Sequence, residues 1–448
     1  MHSNRNAHRR RWPLLLMALF LVLSIGIAAL SINRWQAHTQ PDSSARLTAR
    51  LHDEQAGSAL DAQLLRFRTS RQAQVILSDM TLEEKIGQMF IARCPMEDAA
   101  QKAADQHLGG YLLFGRDFEG QSRERVIADI QSYQAAASIP LFIGVDEEGG
   151  TVNRVSTNPQ LRAVPFWSPQ ELYAEGGFAL IRSDTEEKCQ LLKSLGINLN
   201  FAPVADLSQD PNDFIYARSF GQDAAMTGTY VANVVEVMKQ HQMGSVLKHF
   251  PGYGNNPDTH TGIAIDRRSC DAIAEADLLP FRRGIESGAT MVLVSHNIVS
   301  CMDEERPASL SVPVHTLLRD TLGFDGVIVT DDLDMSGVRD LFPDEDIAVL
   351  AIQAGNDLLC CSDFEAQIGH VRSAVERGEI SEERIDASVL RILEAKLSLG
   401  IIEKGISGKI PNIRDLASAE ELVVLINLED TNADLIRQEV PKIERLKY

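Results

Sequence analysis

The sequence predicts a single catalytic domain of the α/β class, a (β/α)8 TIM-type barrel, with an N-terminal transmembrane anchor. Three observations predict it: eight short apolar runs alternating with helical patterns, polar residues closing five of those runs, and a long uncharged stretch near the N-terminus. Strand, helix, strand in regular alternation implies a parallel sheet, and eight strands is the number at which such a sheet closes. An open doubly wound sheet is the alternative. It is disfavoured because neither GxGxxG nor GxxxxGK[ST] follows any of the runs.

In chain order the runs are GQMFIAR at Gly87, GGYLLF at Gly109, PLFIGVD at Pro140 and NLNFAPVAD at Asn198. SVLKHF at Ser245, MVLVSH at Met291, GVIVTDD at Gly326 and DLLCC at Asp357 complete the set. Helical periodicity fills the intervals, over Glu124 to Ala137, Thr185 to Leu195, Ala224 to His241 and Asp346 to Ala354.

At the N-terminus, Arg5, Arg9, Arg10 and Arg11 precede an uncharged stretch from Pro13 to Ile32, flanked by Trp12 and Trp35. Its length suits a bilayer span, and the arginines should stay cytoplasmic, placing the remainder outside. A cleaved signal peptide is the competing reading, which would make the product secreted. The expected organisation is a basic N-terminus (1–12), an anchor or uncleaved signal (13–34), a polar linker or stalk (35–70), the barrel (71–400) and a C-terminal extension packed on it (401–448).

A composition of 44% hydrophobic and 24% charged residues supplies ample material for a core and excludes disorder as the default. The net charge of -20 argues against a nucleic-acid partner, since no basic cluster exists outside the N-terminus. Six cysteines, Cys94, Cys189, Cys270, Cys301, Cys360 and Cys361, show neither metal-ligand spacing nor scaffold density. Free, mostly buried thiols are expected.

Barrel enzymes carry their chemistry at the C-terminal ends of the strands. There the sequence places Asp146, Asp206, Lys248 with His249, His296, and Asp331 with Asp332. No HExxH or CxxC spacing fixes a metal among them, and neither metal nor cofactor is expected. The inventory suits sugar cleavage, in which a carboxylate nucleophile and a proton donor divide the work. Asp331 follows the β-branched run Val327-Ile328-Val329-Thr330, and Asp332 should face the other way.

From Met80 to Gly400 the chain resembles glycoside hydrolase family 3, in its β-N-acetylglucosaminidase branch acting in peptidoglycan recycling. The resemblance is carried by MTLEEKIGQM at Met80, GGYLLFGRDF at Gly109, DEEGGTVNRV at Asp146, NFAPVAD at Asn200 and RSFG at Arg218. It continues through KHFPGYG at Lys248, PASLS at Pro307, LGFDGVIVTDDLDM at Leu322, AGNDLLC at Ala354 and RIDASVLRIL at Arg384. It implies Asp331 as nucleophile, His260 of the Asp258-Thr259-His260 triplet as general acid/base, and Asp258 as the group that orients it. Asp146, Arg218, Lys248 and His249, with Arg154 assisting, would grip sugar hydroxyls or the acetamido group. An imidazole, with an ordinary pKa of about 6.5, can give a proton to the leaving oxygen and later take one from water.

Tyr253 and Glu147 depart from the family pattern, which often has histidine and glutamine there, and they put fine substrate contacts in question. The residues after Gly400 are too few for the second domain that supplies a glutamate acid/base in glucosidase relatives. The implied activity is retaining hydrolysis of terminal, non-reducing β-linked N-acetylglucosamine from cell-wall fragments. The alternatives are β-glucosidase or β-xylosidase action, phosphorolysis on the same fold, and a non-catalytic cell-wall-binding protein.

Overall fold

The computed structural model describes residues 65–258 and 262–402. The candidate span 13–34, the linker up to residue 64, residues 259–261 and the extension from 403 lie outside the described residues. The described residues from Thr69 onward fall within one compact unit. That unit is the barrel. Among the described residues, no helix is long and apolar enough to cross a membrane.

Eight parallel strands form the sheet: β1 (Phe90–Arg93), β2 (Gly110–Leu113), β3 (Phe142–Val145), β4 (Leu199–Asn200), β5 (Gly244–Phe250), β6 (Met291–Val294), β7 (Val327–Thr330) and β8 (Leu359–Cys361). β8 pairs with β1, and a parallel bridge between Val329 and Leu358 closes the barrel. The Thr330 N–H donates to the Leu358 carbonyl at 3.1 Å across that seam. All eight apolar runs become strands because helices cover the outer face while side chains fill the inner one, so both faces demand apolar residues. Among the strands, only Arg93 of β1 is not fully buried.

β4 is shorter than its run. The regular ladder ends at Asn200, but the Phe201 N–H still donates to the Val145 carbonyl at 2.8 Å and the Ala202 carbonyl accepts the Val246 N–H at 3.0 Å. Pro203 has no N–H to give, and a bridge joins Val204 to Lys248. This carries the chain on to Asp206 beside the end of β5.

α1 (Leu82–Gln88) enters the barrel through a reciprocal cap: Thr81 Oγ1 accepts from the Glu84 N–H, and the Glu84 carboxylate accepts from the Thr81 N–H at 2.8 Å. The outer layer then comprises α2 (Ala99–Asp105), α3 (Arg123–Ala136), α4 (Pro169–Leu195), α5 (Ala224–Gln240), α6 (Leu278–Ser287), α7 (Val312–Thr316), α8 (Ile347–Ala354) and α9 (Phe364–Glu376). α10 (Glu382–Ser398) follows them. α4 begins sixteen residues before the expected Thr185, capped by Ser168 with Pro169 in its first turn and kinked at Gly177. The Gly176-Gly177 pair had concealed the start, because glycine weakens a helical pattern.

Four cysteines, Cys94, Cys189, Cys360 and Cys361, are free and buried as expected. Cys270 and Cys301 are not: they form a disulfide, with Cα atoms 5.5 Å apart. A two-residue parallel pair, Ile265–Asp266 with Ile298–Val299, brings their loops together. That juxtaposition is tertiary and left no spacing signal in the sequence.

Candidate active site

β3 ends in Asp146-Glu147-Glu148, and side-chain alternation decides which of these acids reach the barrel mouth. Asp146 and Glu148 line the cleft. Glu147 turns away and is fully buried, accepting the N–H groups of Arg154, Val155 and Ser156 at 2.8, 2.7 and 3.1 Å. It holds a loop in place, so its departure from the family pattern bears on structure rather than on a direct substrate contact. The following turn requires glycine: at Gly149, with φ of 103°, a Cβ would lie 2.2 Å from the Trp167 carbonyl oxygen.

Lys248 and His249 close β5. Lys248 is 2% exposed, with Nζ 2.7 Å from Asp146 and 2.5 Å from Glu148. Arg218 meets Glu148 through two hydrogen bonds of 3.0 and 2.8 Å, the bidentate geometry that fixes a guanidinium most firmly. Burial alone would raise the Glu148 carboxyl, but Lys248 and Arg218 hold it well below the usual carboxylate range. Arg154 stands 4.0 Å from Asp146.

His249 Nδ1 lies 2.7 Å from the Asp206 carboxylate, and Nε2 lies 3.3 Å from Arg218. A guanidinium only donates, so Nε2 accepts and Nδ1 carries the proton toward Asp206. Asp206 is buried and also accepts the His249 and Tyr253 N–H groups at 3.0 and 2.7 Å. Tyr253 is itself buried, its hydroxyl donating to the Pro257 carbonyl at 3.0 Å. Its departure from the family pattern also serves the loop.

Across the cleft, Asp331 follows β7, and its Oδ1 accepts the Asp332 N–H at 2.9 Å. Asp332 is engaged elsewhere, by the Ser362 hydroxyl at 2.7 Å and the Asp334 N–H at 3.0 Å. His296, at the end of β6, is fully buried between the Ser309 hydroxyl at 2.7 Å and the Asp332 carbonyl at 3.0 Å. The carbonyl only accepts, so Nε2 donates to it and steadies the backbone beside Asp331.

The loop after β5 leads to Asp258, which lines the same cleft. His260 lies outside the described residues. The loop's near end is braced by Arg268, whose guanidinium spans Asp266 at 2.7 Å and Asp277 at 2.9 Å. Gly254, with φ of 59°, lets the backbone pass this group, since a Cβ there would lie 2.6 Å from the Arg268 guanidinium carbon.

The cleft holds about 560 Å³, and Asp146, Arg154, Arg218, Lys248, His249, Asp258 and Asp331 all line it. The structure thus brings together every described residue of the anticipated set. Sequence reasoning missed Glu148, although the two-residue alternation from Asp146 was a signal for it. It also missed Phe214, which is 40% exposed at the cleft and lies 5.6 Å from the Tyr253 ring centroid. Among the described residues, no group of three or more His, Cys, Asp or Glu side chains is arranged to hold a metal ion.

A barrel mouth with a carboxylate facing a paired lysine, arginine and histidine is the architecture of a barrel glycosidase. The glycosyl hydrolase family 3 N-terminal domain matches residues 81–395, and the chain belongs to that family. It is 31% identical over 322 residues to β-hexosaminidase A of Pseudoalteromonas piscicida, covering 65% of this chain and 54% of that protein. It thus spans about half the length of that relative. It is 30% identical over 332 residues to β-hexosaminidase LpqI of Mycobacterium tuberculosis, covering 70% of this chain and 82% of LpqI. The solved family 3 β-N-acetylglucosaminidase of Paenibacillus sp. str. FPU-7 superposes with a TM-score of 0.67 at 30% identity, covering 79% of this chain and 69% of that one.

Proposed function

We propose that this chain is a β-N-acetylhexosaminidase that releases terminal, non-reducing β-linked N-acetylglucosamine with retention, drawing its substrate from peptidoglycan-derived fragments. The observation that carries the reading is one cleft in which Asp331 at the end of β7 faces the Asp146, Glu148, Arg218, Lys248 and His249 network at the ends of β3 to β5. Family membership and the β-hexosaminidase relatives support it.

In this mechanism Asp331 attacks the anomeric carbon as the bond to the leaving oxygen breaks, and His260 gives that oxygen its proton. A glycosyl-aspartate forms. His260 then takes a proton from water, whose oxygen attacks the same carbon and frees Asp331 with net retention. Asp258 orients the imidazole, and its place in the cleft supports that role. Asp146, Lys248, Arg218, His249 and Arg154 hold the sugar. Neutralising Lys248 and Arg218 within the protein leaves a polar surface for hydroxyl and amide groups rather than a bare charge. The disulfide suits an oxidising, extracytoplasmic site of action, with residues 13–34 as the membrane anchor.

The test is a panel of chromogenic acetamido, glucosyl and xylosyl β-glycosides, with and without phosphate, while NMR follows the anomer first released. Preference for the acetamido sugar, release of the β-anomer and indifference to phosphate are expected. A preference for the 2-hydroxy sugars, or a sugar phosphate product, overturns the reading. For His260→Ala, poor leaving groups should suffer more than good ones in the first step. Equal losses would remove His260 from the role.

A further inference from the structure

We propose that the edge of the cleft around Arg93 is a subsite for a carboxylate on the leaving group, an inference that rests on the glycosidase reading above. Arg93 ends β1 and lines both the main cleft and an adjoining cavity of about 380 Å³. Its guanidinium lies 4.5 Å above the Phe114 ring, which fixes its plane without neutralising its charge. Its Nε is buried with no hydrogen-bond partner, and among the described residues Arg93 has no ion pair.

The surrounding charges are committed elsewhere. Arg116 donates to the Cys94 carbonyl at 2.5 Å and lies 3.7 Å from Asp117. Asp117 accepts the Phe114 N–H at 2.7 Å. Lys102 pairs with Glu365 at 2.9 Å, and Arg339 lies 3.7 Å from Asp363. The cations that line the main cleft near the sugar site, Lys248, Arg218 and Arg154, all face a carboxylate. Arg93 is the exception in making no ion-pair contact among the described residues, and Asp117 feels its charge only from a greater distance.

A partly buried guanidinium left without a carboxylate costs free energy unless an anion meets it. The cavity beyond it shares Arg93 and Ser362 with the main cleft but not Lys248, and the proposal seats the leaving group there. An acid group there can meet the guanidinium through charge-assisted hydrogen bonds. That acid could be carried by the leaving sugar itself or by a peptide attached to it.

Four substrates separate these sources: N-acetylglucosamine β-linked to a sugar bearing a lactyl acid, the methyl ester of that compound, its amide with a peptide ending in a free carboxylate, and a neutral chromogenic glycoside. The wild-type enzyme should prefer the acid to the ester by about tenfold or more in kcat/KM, with the preference shrinking as salt rises. Arg93→Gln should abolish the preference while leaving the ester and the neutral glycoside unchanged, and Arg93→Lys should keep part of it. If only the peptide-bearing compound responds, the subsite reads the peptide carboxylate.

Equal wild-type rates on acid, ester and peptide compounds overturn the subsite, whether or not Arg93→Gln folds. Equal loss on all four compounds in a folded Arg93→Gln enzyme also overturns it. A wild-type enzyme inactive on the neutral acetamido glycoside and on the other three overturns the glycosidase reading instead.

Discussion

The two ends of the barrel bury lysine in opposite ways. At the mouth, Lys248 sits between two carboxylates at 2.7 and 2.5 Å. At the base, Lys396 of α10 is fully buried against a single amide, the Gln88 Oε1 at 2.7 Å, with the Phe142 ring 5.1 Å from its nitrogen. Gln88 in turn donates to the His107 and Leu108 carbonyls just before β2. The base therefore ties secondary elements together through neutral partners, and burial pushes the Lys396 ammonium down to about 7. At the mouth, Lys248 and Arg218 instead hold the Glu148 carboxyl in its charged form. In the proposed reading, charge at the mouth serves a ligand, whereas the base serves the fold.

The sharpest break in that contrast is at Asp331. Asp331→Asn removes the proposed nucleophile but keeps the shape, so turnover should fall by at least about a thousandfold with an unchanged thermal midpoint. Steady-state kinetics and a melting curve check this. Next is Glu148→Gln, which leaves Lys248 and Arg218 short of a buried counter-charge. Stability should fall by about 3 kcal/mol at pH 7, read by urea unfolding. Because the folded carboxyl titrates below its unfolded value of about 4.3, its contribution is present above that pH and is lost as pH falls toward the folded value. The gap between variant and parent should accordingly narrow below about pH 4.

Cys270→Ser opens a link across a sequence separation of 31 and should cost about 2–4 kcal/mol, with reduction of the parent giving the same shift. The smallest effect belongs to the base. A lysine whose folded value is depressed binds fewer protons than in the unfolded chain between about pH 7 and its ordinary value, so parent stability should rise with pH across that window. Lys396→Met should remove the slope and gain roughly 1–2 kcal/mol near pH 7, with activity intact. Unfolding midpoints at pH 7 and 9.5 measure it.

The same contrast explains what the sequence revealed. The strands were legible because burial on both faces leaves apolar runs, and the mouth residues were legible because polar side chains interrupt those runs at one end only. Glu148 was hidden among three consecutive acids whose directions depend on the strand's alternation. The division of labour is visible only once Glu147 is seen to hold the backbone of Arg154 to Ser156. Lys396 gave no warning, since a lysine near the end of an amphipathic helix reads as solvated. The surroundings of Arg93, which stacks on Phe114 but makes no ion pair among the described residues, depend on side chains from β1, α9 and the loop after β2, which no local pattern relates.

The central claim is that a carboxylate at the end of β7 becomes covalently bonded to the sugar. Incubation with an activated fluoro-sugar that forms but slowly releases the glycosyl-enzyme, followed by peptide mass spectrometry, tests it directly. The predicted result is one added sugar mass on the peptide containing Asp331, absent from Asp331→Asn and lost on prolonged incubation. A label on another residue, or none under conditions where the enzyme is inactivated in step with the reagent, would contradict it.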